Sequence, residues 1–295
     1  MCSQKMNVLI LKDIFQTPEE DVHKLIHYTT AESERKIVGG KTISLLLRRA
    51  DCLLDENEGL LILEPFYYAC GELYERGIID SEFYELLKSI SKNDIREVIS
   101  NTYVVCFSKN GNSKRLKKRY SPKDGWILYI LYDNLFELSR IISSNSGNAD
   151  LLYVCYSFEY VVSISASNIK DAFKFYKNKL IGKANEEKQT LKNDVKKQII
   201  YWLQNNCLAY KANFYDYEEE VRLIYTAEKN FSVIENQIYG IRLETITLCE
   251  VPYIKMTLDK KYLWEKTQEL DSCFDTKINK AIVSRKEIQE VLKNK

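Results

Sequence analysis

Histidine and proline are scarce in this chain, two and four among 295 residues, and glycine reaches only ten. Two histidines cannot build a histidine-rich metal centre, and neither falls at ligand spacing from a cysteine, so no metal site is expected. The eight cysteines stand at 2, 52, 70, 106, 155, 207, 249 and 273 without a CxxC pair. That scatter argues against a disulfide framework and predicts reduced core thiols. Charge of one sign is missing too: 43 basic against 42 acidic side chains leave a net charge of +1. No global field then draws the chain to nucleic acid or a membrane, and any basic surface must be local. No apolar run approaches the roughly 18 residues of a membrane span. The stretch Val8-Leu9-Ile10-Leu11 lacks the length and cleavage site of a secretory signal. These absences predict a cytoplasmic protein without a membrane partner, and leave open delivery to a host or target cell by a signal-independent route.

What is present is an ordinary globular balance, 45% hydrophobic and 29% charged residues, long enough to bury a sizeable core. With no internal repeat and no linker longer than the Ser-Asn loop at 143–150, one domain over 1–295 is expected. Thr17-Pro18-Glu19-Glu20 reads as a capped helix start running toward His23. A strand is expected at Leu25 to Tyr28, then a helix capped by Thr30 and stopped at Gly39-Gly40, then a strand from Thr42 to Leu47. Helical spacing marks Asn57 to Arg76, with a possible bend at Pro65, and two short stretches in Ser81 to Ser100. Thr102 to Phe107 and Trp126 to Tyr132 have the composition of central strands. Further strands are expected at Leu151 to Tyr156, Glu219 to Thr226, 241–248 and 253–258, with helices within 167–182 and 187–207. The pattern is α+β: a central mixed, mainly antiparallel sheet flanked by helices.

Three motifs stand out at strand ends: His27-Tyr28-Thr29-Thr30, Tyr103-Val104-Val105-Cys106-Phe107-Ser108, and Tyr217-Glu218-Glu219-Glu220-Val221-Arg222. Strand alternation would place Glu218 and Glu220 on one face and Glu219 on the other. Cys106 would turn into the core, opposite Phe107, which makes a Cys106–His27 nucleophile unattractive. Arg222 would either ion-pair with Glu220 or decorate an exposed edge. The run Lys114-Arg115-Leu116-Lys117-Lys118-Arg119 before Tyr120 reads as a solvated loop, or as a phosphate contact for a dinucleotide or nucleic acid. An acidic edge strand and a structural histidine remain the plainer readings of the other motifs.

Taken together, the HYT, CFS and ExEVR motifs resemble a bacterial domain-of-unknown-function family, which itself resembles a distant ADP-ribosyltransferase fold of the His-Tyr-Glu type. The resemblance covers about residues 25–255, with 256–295 as a C-terminal extension. Asp55 and Glu58 fall on the family's Asn-Asp-Pro-x-Glu turn, but Leu54 and Glu56 replace its first and third residues. The chain also departs after Ser108, where the basic run replaces a tryptophan and a glycine-rich approach. The resemblance implies a split sheet with NAD as co-substrate, Glu220 and Glu218 as catalytic carboxylates, and His27, Tyr28, Thr29, Ser108, Tyr120 and Arg222 around the dinucleotide. It implies transfer of ADP-ribose to an unknown acceptor, protein or nucleic acid, as in a toxin, defence protein or effector. The alternatives are a noncatalytic nucleotide-sensing module of the same fold and a nucleic-acid-directed toxin.

Overall fold

The segment Thr102–Ser108 is dense in β-branched and aromatic residues and is buried along nearly its whole length, as a strand flanked on both edges and both faces should be. The computed structural model describes residues 9–14, 24–38, 42–53, 55, 57–121, 126–131, 135–136, 138–140, 142–143, 148–227, 233–236, 241–259 and 282–283. The helix expected from Thr17 to His23 and most of the 256–295 extension lie outside these residues. The chain groups into two units, one from Met1–Phe15, Asn57–Val98 and Cys155–Asn213, the other from Gln16–Glu56, Ile99–Val154 and Phe214–Lys295. Each is assembled from three separated stretches, so the sequence, read as one domain, carries no linker that marks the division.

Among the described residues the second unit holds ten strands: β1 Lys24–Thr29, β2 Thr42–Arg49, β3 Thr102–Ser108, β4 Trp126–Leu131, β5 Asn148–Tyr153, β6 Glu220–Thr226, β7 Val233–Asn236, β8 Ile241–Leu248, β9 Val251–Asp259 and β10 Ile282–Val283. Every ladder between them is antiparallel, not mixed. The sheet forks at β3. One edge of β3 pairs with β6 from Thr102↔Thr226 to Ser108↔Glu220, and β6 in turn pairs with β5. The other edge pairs with β2 only at Tyr103 and Val104 and with β1 only at Ser108, so β2-β9-β8-β7 leaves from one end and β1-β4-β10 from the other. β4 is therefore not central; it lies between β1 and the two-residue β10.

Alternation gives the sheet two unlike faces. Leu25, Leu45, Leu47, Val105, Phe107, Leu128, Leu151, Val221 and Leu223 belong to one buried apolar cluster, joined by Ile37 of helix α1 (Ala31–Val38) and by Leu135 and Leu138. The opposite face of β3 and β6 carries Cys106, Ser108, Glu220 and Arg222. Cys106 thus points away from the core, because its neighbour Phe107 occupies it. The six described cysteines are free, but only Cys70 and Cys207 are buried, fewer than expected.

The first unit is helical: α2 Leu63–Glu75, α3 Ser81–Lys88, α4 Lys92–Ile99, α6 Phe158–Leu180 and α7 Asn185–Asn206, with α5 (Lys114–Tyr120) belonging to the sheet unit. Pro65 lies in the first turn of α2, where a missing N–H costs nothing, so it starts the helix instead of bending it. Ser157 caps α6, its hydroxyl accepting from the Tyr160 N–H, which starts the helix nine residues earlier than its apolar spacing suggested. Residues 12–14 are pinned here: Asn168 exchanges two hydrogen bonds with the Lys12 backbone, Trp202 donates to the Lys12 carbonyl, and Asn206 accepts from the Ile14 N–H at 2.7 Å. Among the described residues no helix is long and apolar enough to cross a membrane.

Candidate functional site

The polar groups of the sheet unit concentrate where β1, β3 and β6 end together. β6 does not begin at Glu219. A 3-10 helix, Asn213–Glu218, runs into the strand through Glu219, whose φ is +43°, a left-handed conformation that few side chains favour. Glu218 and Glu220 are therefore not alternate members of one strand. Both are nonetheless buried, 5% and 6% exposed, and they do different things.

Glu220 is locked to Arg222. Arg222 Nε donates to Oε1 at 3.1 Å and Nη2 to Oε2 at 3.0 Å, a two-pronged pair in which the guanidinium is fully buried. Of the two readings of Arg222, the exposed edge is excluded. Glu218 has looser company: its Oε1 accepts from the Tyr217 hydroxyl at 3.2 Å and lies 3.7 Å from Nη1 of the half-exposed Arg119. Arg119 also donates to the Tyr217 hydroxyl, and the Arg115 guanidinium stacks 3.7 Å from the Tyr217 ring centroid. The basic run is thus a capped helix, not a loop. Ser113 accepts from the Leu116 N–H at its start, and Leu116 is buried.

Ser108 sits opposite Glu220 in the ladder, and its hydroxyl donates to the Glu218 carbonyl at 2.6 Å while accepting from the Asn110 N–H. It braces the turn that presents Glu218. Asn110 continues this work, its amide donating to Glu219 Oε1 at 2.9 Å and its carbonyl accepting from the Tyr28 hydroxyl. The Lys109 N–H closes the same turn on the Glu219 carbonyl. Asn110 was absent from the sequence-derived set, and Tyr217 and Arg119 stood in it only as members of the acidic motif and the basic run. Asn110-Gly111-Asn112 is a turn signature whose Asn side chain accepts from the N–H two residues on, and that signal marks the loop.

His27 does not join them. β1 pairs Ile26 with Ser108, so the next residue points to the other face. There its ring lies 5.7 Å from that of Phe107, and Nδ1 donates to the Cys106 carbonyl at 3.0 Å. The expectation that His27 shares a cleft with Glu220 is corrected: the two are on opposite faces of the sheet. Thr29 is buried in the ladder opposite Trp126, and Tyr120 ends α5 with the Arg119 guanidinium 5.2 Å from its ring centroid. Asp55 and Glu58, matched to one family turn, fall in different units. Glu58 ion-pairs at 3.8 Å with the equally buried Lys211. Among the described residues no His, Cys, Asp and Glu group could hold a metal ion.

Burial holds the His27 imidazole below its ordinary value, outweighing the Cys106 carbonyl, which favours the proton. The native state then binds fewer protons than the unfolded chain, so stability falls as pH drops below about 6.5 and levels off once the native imidazole also protonates. Wild type minus His27→Gln, measured by urea unfolding, should shrink between pH 7.5 and 5.5. A constant difference would show that His27 is not a neutral buried donor. Comparison of the chain with protein-family models, curated proteins and solved structures finds no match in any of the three.

Proposed function

We propose that the sheet unit binds NAD at the ends of β1, β3 and β6 and works as an enzyme of the ADP-ribosyltransferase type, with Glu218 as the reacting carboxylate. The observation that carries this reading is the setting of Glu218: a carboxylate almost out of water, oriented by the Tyr217 phenol and bordered by the Arg119 guanidinium. Loss of nicotinamide leaves positive charge on the ribose C1′. A carboxylate fixed beforehand in a dry site stabilises that charge more in the transition state than in the bound substrate. The C1′–N bond breaks with its electron pair leaving on nicotinamide. The acceptor nucleophile, or water, bonds to C1′ and yields its proton to Glu218 and then to solvent. Ser108, Asn110 and Tyr28 hold the turn, and the Glu220–Arg222 pair anchors the strand behind it.

One observation favours a second reading, a noncatalytic nucleotide-sensing module. The Tyr28 and Ser108 hydroxyls, His27 Nδ1 and both Glu220 oxygens already engage protein partners. Incubation of the purified protein with NAD separates the two. The transferase reading expects free nicotinamide, measured by chromatography, together with a higher unfolding temperature, since a ligand at 100 times its Kd stabilises the native state by about 2.7 kcal/mol. Stabilisation without nicotinamide supports the module. Neither effect at millimolar NAD rejects both.

A further inference from the structure

Helix α5 sorts its residues into three stripes at 100° per residue. Leu116 and Tyr120 form the inward stripe, Leu116 being buried and Tyr120 half-buried. Arg115 and Arg119 form the second and engage Tyr217 and Glu218. Lys114, Lys117 and Lys118 form the third. Lys114 and Lys118 are exposed, Lys117 is half-buried, and none of the three has an ion-pair partner among the described residues. Among the described residues their charge serves no ion pair, and three cations within one turn repel one another unless an anion lies across them.

A second observation says what kind of anion. In a 3-10 helix, side chains three apart eclipse and stand about 6 Å apart along the axis. Phe214 therefore shares a face with Tyr217, whose ring carries Arg115. Phe214 is 59% exposed, and its ring centroid lies 4.1 Å from that of Tyr215. A large aromatic left in water on the face of a cation-covered aromatic, which the arginines of the lysine-bearing helix hold in place, offers what successive bases need: a flat apolar surface for the base and fixed charge nearby for the phosphate. An acidic peptide would use the lysines and leave Phe214 idle. A duplex hides its base faces.

We propose that the lysine stripe of α5 and the Phe214 edge of the 213–218 helix form a binding surface for single-stranded nucleic acid. The inference stands apart from the NAD reading, since it uses neither Glu218 nor any bound nucleotide. With net charge near zero the attraction is local, so binding is modest and strongly salt-dependent: three lysine–phosphate contacts give a slope of log K against log salt of about −2.

The test is fluorescence anisotropy of a labelled single-stranded 12-mer at low salt, with the full chain. Wild type should bind at micromolar concentration and weaken with salt at that slope. The triple variant Lys114→Gln, Lys117→Gln, Lys118→Gln, altered only at the outward stripe, should bind at least tenfold more weakly with an unchanged circular dichroism spectrum. Phe214→Ala should cost about fivefold or more, the scale of one lost stacking contact. The proposal is overturned by absent binding, by a triple variant that binds like wild type, or by equal affinity for the duplex. Equal affinity for a poly-glutamate peptide, with Phe214→Ala silent, assigns the surface to an acidic protein instead and overturns it too. Oligonucleotide binding without nicotinamide release defeats the transferase reading and upholds this one.

Discussion

Glu220→Ala is expected to destabilise the protein by about 3–5 kcal/mol, the scale for stripping one partner from a buried ion pair. Its partner Arg222 is wholly buried, so the guanidinium that remains cannot recover hydration by turning outward. Glu220→Gln, which keeps shape and an acceptor but no charge, should fall between Ala and wild type. The double change Glu220→Leu, Arg222→Met should regain most of the loss, because two apolar groups of similar size leave no charge to desolvate. Urea unfolding checks both arms, with the midpoint moving and the slope unchanged. A loss below about 1 kcal/mol for Glu220→Ala would mean that water reaches the pair. The corollary is practical: lost turnover in a Glu220 variant reports on folding, not on chemistry.

Glu218→Gln should behave in the opposite way. The Arg119 guanidinium, 3.7 Å from the carboxylate, is 42% exposed at the side chain, so it keeps its hydration when Glu218 is neutralised, and that contact adds little to the stability cost. If Glu218 stabilises the developing cation, nicotinamide release should fall by roughly 10² or more, the scale for removing one preorganised electrostatic group. Glu219→Gln is the control, since its Oε1 only accepts from the Asn110 amide, which a glutamine oxygen also does. Wild-type turnover in Glu218→Gln, or a loss confined to Glu219→Gln, would sink the assignment.

The local elements were legible wherever composition and periodicity act over a few residues. The Thr102 to Phe107 strand, the Thr42 to Leu47 strand and the helix after Thr30 sit where β-branched density and a capping residue place them. The acidic triplet was misread for an equally local reason. Alternation holds only inside a strand, and whether 218–220 is strand depends on a left-handed residue at Glu219, which no pattern of charges reveals. The basic run was misread as loop because Ser113 looks like loop composition until its hydroxyl is seen capping α5.

By itself the sequence determined the α+β class and the three motif-bearing strand ends, because each follows from residue type and short-range spacing. Only the tertiary structure decided what those ends do together. Register is set by packing between distant strands, and a shift of one residue exchanges the faces of a sheet. Pairing Ile26 with Ser108 and Ser108 with Glu220 sent His27 into the apolar side and left Ser108, Glu220 and Arg222 on the polar one. Burial then separated two neighbouring glutamates, one neutralised by a guanidinium fully out of water, the other held beside a guanidinium still in contact with it.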